Sequence, residues 1–250
     1  MRTVKVLAFA SILLAASVTQ AGKVTGKVII TPEFREAADK ATRVSKDKKP
    51  AFYWNEPNGI ADVRPLRIDP SRDLAVVLIK EGAKEPDVDE LTTVKVFAGA
   101  MERSVVVTRP KSTIRFRNVN PFDHKLFVPG MDAFRPEHQS NGAFRPIEFA
   151  EEGIFEINCK LFPHFKAFVV VTKATIVVPI KKDGTFALDS LGEGSYTLKV
   201  FYNGKWIHKQ NFKVAGGGGQ ALEVKLTPGS SGKQEAETKK KDKKAKDGAK

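Results

Sequence analysis

Two short segments of this 250-residue chain carry its most chemically capable side chains. Asn118-Val119-Asn120-Pro121-Phe122-Asp123-His124 presents an imidazole after an Asn-rich turn, and Asn158-Cys159-Lys160-Leu161-Phe162-Pro163-His164 presents a thiol and a second imidazole. One thiol and two imidazoles arriving from two strand ends form the donor set of a mononuclear copper site with a His₂Cys plane. Such a site exchanges an electron, because the thiolate supplies covalency and a rigid shell keeps nearly the same geometry in both oxidation states. No axial sulfur follows: Phe165, Lys166, Ala167 and Phe168 come after His164, and none is a soft ligand. Cys159 is the only cysteine, so it forms no intrachain disulfide, and its other open role is that of a small buried hydrophobe at a strand end.

A metal plane of this kind needs a rigid support, and an antiparallel sandwich supplies one by placing ligands on the loops at one end. Short strands are expected over Val24 to Thr31, Leu74 to Lys80, Ser104 to Thr108, Thr113 to Asn118, Lys125 to Val128, Ile154 to Asn158 and Ala167 to Thr172. No helix alternates with them, which argues against a parallel α/β sheet. An insertion over about residues 33–73 interrupts the pattern. Its first part, Glu33 to Ser45, carries Phe34, Ala37, Ala38, Ala41 and Val44 at helical spacing, and its second holds four prolines and the trio Phe52-Tyr53-Trp54, which reads as a loop pinned by aromatics. Around the ligands, Asn118 or Asn120 is expected to fix the turn by side-chain hydrogen bonds, with Phe162, Phe165 and Phe168 excluding water. His138 falls in a loop and His208 on a later strand, and neither is assigned a ligand role.

Beyond Lys173 a second strand pattern begins: Ala174 to Ile180, Thr185 to Leu188, Tyr196 to Tyr202, Trp206 to Val214 and Ala221 to Leu226. Asn203-Gly204 is a hairpin signal because both residues tolerate positive φ. This second sandwich is small enough to be marginal alone and is expected to lean on the first. Tyr202 and Trp206 read as core aromatics, with a sugar platform as the other role open to them.

From about Lys95 to Thr172 the chain resembles a cupredoxin of the plastocyanin and azurin kind. The resemblance rests on strand order, on the Asn-rich approach to His124 and on Gly153-Ile154-Phe155-Glu156-Ile157-Asn158-Cys159, similar to that fold's Gly-x-Tyr-x-x-x-Cys run. Asp183-Gly184-Thr185-Phe186 and Leu191-Gly192-Glu193-Gly194-Ser195-Tyr196 resemble a carboxypeptidase regulatory-like module, so the mature chain looks like the secreted proteins labelled methylamine utilisation proteins. The resemblance implies one copper ion held by His124, Cys159 and His164. Family members read Cys-x-x-His-x-x-Met, whereas those places hold Cys159, Phe162 and Phe165; His164 enters only with the longer azurin-like spacing, which sets Phe168 where Met would stand. A copper-holding site and a retained fold with an altered site are both consistent with this pattern.

The expected organisation is all-β: a signal peptide over 1–21, a cupredoxin-like domain over 22–172, a carboxypeptidase regulatory-like sandwich over 173–228 and a disordered basic tail over 229–250. The signal is read from Arg2 and Lys5, the apolar run Val6 to Val18 and the small-residue site before Gly22. That run is too short to span a bilayer, so an exported protein, periplasmic or extracellular and without a transmembrane segment in its mature chain, is expected. The net charge of +13 is partly local, since residues 233–250 hold eight Lys against four acidic residues. With no branched apolar or aromatic residue that stretch cannot bury a core, and loose adhesion to an anionic envelope surface is the partner it suggests. A redox protein is the partner a copper site suggests. Nucleic acid is not expected, and no Ser-His-Asp order or His-Glu-x-x-His motif points to an enzyme. The alternative function is a non-catalytic envelope scaffold that binds glycan or protein through the second sandwich.

Overall fold

The computed structural model describes residues 22–42, 68–83, 91–97, 99–162, 165–173, 175–215 and 219–229. The expected signal peptide, the trio at 52–54, His164 and the Lys-rich tail from residue 230 lie outside the described residues. Among the described residues no helix is long and apolar enough to cross a membrane.

The chain is all-β, built as four stacked sheets. Sheet I contains β1 (Gly22–Ile30), β12 (Thr185–Leu191) and β15 (Gly219–Leu226), in the order β12-β1-β15. Sheet II is β11-β2-β13-β14, from β2 (Leu74–Lys80), β11 (Thr175–Val178), β13 (Gly194–Tyr202) and β14 (Lys205–Val214). Sheet III is β5-β10-β9-β7, from β5 (Val105–Thr108), β7 (Leu126–Phe127), β9 (Gly153–Cys159) and β10 (Lys166–Val171). Sheet IV is β4-β3-β6-β8, from β3 (Leu91–Phe97), β4 (Ala100–Met101), β6 (Ser112–Asn118) and β8 (Phe144–Phe149).

Three apolar layers join the four sheets. Val24, Val28, Phe186 and Leu226 of sheet I meet Val76, Leu78 and Leu198 of sheet II. Ile114, Phe116 and Phe149 of sheet IV meet Ile157, Ala167 and Val169 of sheet III. Between the two sandwiches Ala75 and Phe201 of sheet II meet Val105, Phe168 and Val170 of sheet III. The sequence of the inner strands follows from this stack. Side chains alternate across a strand, so one covered on both faces must be apolar at every step, as Leu74-Ala75-Val76-Val77-Leu78 and Ala167-Phe168-Val169-Val170-Val171 are. Each Val, Leu or Phe among them taken fully out of water contributes about 1.5–3 kcal/mol.

The pairings correct the linear order read from sequence. Strands over Val24 to Thr31 and Leu74 to Lys80 were expected in the first sandwich, yet β1 pairs with β12 and β15, and β2 with β11 and β13. The eight strands between Leu91 and Val171 are thus inserted between strands of the other sandwich. Alternation alone states that a strand has a buried face and does not say which sheet buries it. The sheets are also mixed rather than purely antiparallel, because β1–β15, β3–β6 and β5–β10 are parallel. The expected helix appears as α1 (Pro32–Thr42), whose Phe34 and Ala38 pack into the layer between sheets I and II.

Candidate metal centre

β6 ends at Asn118, and the chain turns before entering β7; β9 ends at Cys159, whose Cα partner on β7 is Leu126. That pairing brings the two segments together at one end of the sandwich. His124 is fully buried and Cys159 nearly so. Cys159 Sγ lies 3.6 Å from His124 Nδ1, and it accepts the backbone N–H of Lys125 at 3.4 Å. Two donors bound to a shared ion at about 2.0–2.1 Å through nitrogen and 2.3 Å through sulfur stand about this far apart, so the pair fits one soft ion.

A polar cage holds the imidazole. The backbones of His124 and Gln139 exchange hydrogen bonds at 3.0 and 2.9 Å. Asn118 Nδ2 donates to the carbonyls of Phe122 and Gln139, both at 2.8 Å, while its Oδ1 accepts Asn120 N–H at 2.8 Å. Asn120 Oδ1 accepts Gly99 N–H at 3.3 Å and its Nδ2 donates to Val96 O at 3.0 Å. That orientation turns Nδ2 toward His124 Nε2, 3.0 Å away, so the neutral ring carries its proton on Nδ1, facing sulfur. An ion at Nδ1 requires the other tautomer, whose Nε2 proton faces the Asn120 amide. Gln139 Nε2 donates to Phe116 O at 2.7 Å and Ala143 O at 3.1 Å. Both expected Asn residues therefore fix the turn; Gln139 is the cage member that the sequence reading missed, and its only signal was a polar residue amid loop residues.

Aromatic rings close the site. Phe162 lies 4.9 Å from the His124 ring, Phe122 5.4 Å and Phe165 5.8 Å, between centroids. Phe168 does not join them. It points away from the thiol into the layer between the sandwiches, 5.7 Å from Phe201, because the alternation of β10 sends Ala167 and Val169 to the site's core and Phe168 to the opposite face. Of the two spacings open from sequence, the rings that stand beside His124 are those at Cys-x-x-Phe162-x-x-Phe165. Among the described residues no three His, Cys, Asp or Glu side chains form a metal-holding group.

The other histidines stand apart. His138 is exposed and 3.3 Å from Asp123. Next to it, the Arg135 hydrogen bond, with the charge of Arg145 second, holds the Glu137 carboxyl below its ordinary pKa. His208 lies on β14 opposite Val200. Tyr202 packs at 5.5 Å on Phe34, and burial, with Asp73 second, pushes its hydroxyl up to about 12. Trp206 packs edge-on at 5.4 Å against Phe201.

No family model matches the chain, and no curated protein matches it. Among solved structures, amicyanin from Paracoccus versutus (Thiobacillus versutus) is similar over 38% of this chain and 97% of its own, with 22% identity and a TM-score of 0.31. A purple cupredoxin from Nitrosopumilus maritimus is similar over 32% of this chain and 99% of its own, with 16% identity and a TM-score of 0.30.

Proposed function

We propose that the protein holds one copper ion between His124 and Cys159, with His164 as third donor, and serves as an exported electron carrier or copper-holding module of the cupredoxin kind. The observation that carries this reading is the buried Nδ1 and Sγ pair, 3.6 Å apart at the meeting of two strand ends. The chemistry a bound copper supplies is one-electron exchange. The chain's own residues do the rest. The Lys125 N–H stabilises negative charge on sulfur, the Asn118, Asn120 and Gln139 cage fixes the ring, and Phe122, Phe162 and Phe165 exclude water.

The reading is non-enzymatic. Its partner is a redox protein, and its Lys-rich tail over 229–250 adheres to an anionic envelope surface in the periplasm or outside the cell. We read residues 173–228 as carboxypeptidase regulatory-like, the reading from which the likeness to the methylamine utilisation type follows.

One observation favours a second reading, in which the fold is kept as a glycan- or protein-binding scaffold with an altered site: two apolar rings, Phe162 and Phe165, stand beside His124. Visible absorption and metal analysis of the mature protein after Cu(II) addition separate the two. The copper reading expects one equivalent and an intense thiolate-to-Cu(II) band, both absent in Cys159→Ser, with folding retained because the volume barely changes. A wild-type protein with no band and no bound copper leaves the scaffold.

A further inference from the structure

The two outermost faces of the four-sheet stack are built differently. On sheet I two outward lysines are paired: Lys23 with Asp189 at 3.1 Å and Lys225 with Glu223 at 3.0 Å. On sheet IV the basic residues are not. Lys95 and Arg117 are neighbours in register across β3 and β6, and Arg115 follows on the same face. The acidic residues nearby are Glu148, opposite Thr113, and Glu102, which accepts the Lys95 backbone N–H at 3.1 Å. Among the described residues neither forms an ion pair with Lys95, Arg115 or Arg117. Like charges side by side on a sheet cost stability, so this row is maintained against folding energetics.

The same face carries exposed apolar bulk. Leu91, Phe97 and Phe144 are 56%, 63% and 48% exposed, and all three point outward from sheet IV. Phe144 sits opposite Arg117, and the guanidinium carbons of Arg115 and Arg117 lie 5.5 and 5.1 Å from its ring centroid. Both guanidinium groups are thereby held against one ring, which spares part of the rotamer entropy an arginine loses on binding.

We propose that this face of sheet IV is a docking surface for an acidic patch on another protein. Planar guanidinium forks match carboxylates in bidentate geometry, and Phe97 and Leu91 supply apolar contact beside them. A second copy of this chain does not fit, because it would set the basic row against itself. An anionic lipid surface is the competing occupant that the test separates. The surface adjoins the His124 cage: Arg117 precedes Asn118, and Gly99, two residues past Phe97, donates to Asn120. The inference nevertheless stands on the surface alone and does not require copper.

Its test uses the full-length, metal-free chain titrated with poly-L-glutamate at low salt, read by amide shifts and affinity. Arg115→Gln with Arg117→Gln should weaken binding about tenfold, while Lys23→Gln with Lys225→Gln, which removes the same charge from sheet I, should change it by less than about twofold. Phe97→Ala, which keeps every charge, should cost about threefold, and the shifts should cluster on β3, β6 and β8. Equal weakening by both charge pairs would reduce the attraction to net charge and overturn the proposal. Stronger arginine-dependent binding to vesicles of equal phosphatidylglycerol and phosphatidylcholine, or to oligothymidylate, would overturn the choice of partner.

Discussion

Sulfur and imidazole are only as useful as the groups that hold them, and here those groups are amides. Asn118 is fully buried, donates to two carbonyls and accepts from Asn120, so Asn118→Ala leaves several buried partners unpaired. The expected loss is about 2–3 kcal/mol in urea unfolding, larger than the removal of one ordinary hydrogen bond. A second substitution adds rather than removes. Phe162 stands 4.9 Å from the His124 ring, so Phe162→His sets an imidazole beside the pair. Copper affinity, measured by competition with a chromophoric chelator, should rise at least about tenfold, and an unchanged affinity would count against a site at His124 and Cys159. The nearness of His124 and Cys159 was legible because one falls just before a strand and the other at a strand end, and both are residue types with few structural uses in a core. That Phe165 stands beside His124 while Phe168 turns away was not, because the two differ only in the register of β10, and register depends on a partner strand the sequence does not name.

At the scale of elements, turns and alternation were the readable part. Asn203 and Gly204 do take positive φ, 42° and 86°, and join β13 to β14. Gly204 also has a packing role: a Cβ there would come within 3.2 Å of the Phe168 ring on the neighbouring sandwich. Gly204→Ala should therefore cost about 1–2 kcal/mol in chemical denaturation, combining left-handed strain with displacement of Phe168. Leu74–Lys80 was found to the residue because a run of six apolar side chains admits few alternatives. Leu91–Phe97 and Phe144–Phe149 were missed as strands. The second contains Pro146, which ordinarily argues against a strand and is tolerated here because β8 is the edge of sheet IV.

For the whole molecule, the consequential feature is the insertion of one sandwich between the strands of another. A chain cut after residue 172 keeps β1 and β2 but loses β11 to β15, every strand that pairs with them. It should aggregate, whereas residues 89–173 should give a single cooperative thermal transition by circular dichroism, with Phe168 and Val170 newly exposed. A cooperative melt of the first fragment with β1 and β2 protected in hydrogen exchange would contradict the observed pairing. Composition and strand count announced an all-β stack, but they could not announce the nesting, since β1 and β15 are adjacent in space and almost 200 residues apart in sequence. Nesting also orders the folding of a chain that emerges N-terminus first. The inserted sandwich is complete, and able to close, before the last strand of the outer one is available. Through that interval Leu74-Ala75-Val76-Val77-Leu78, apolar on both faces, waits unpaired, the segment most open to pairing with another chain.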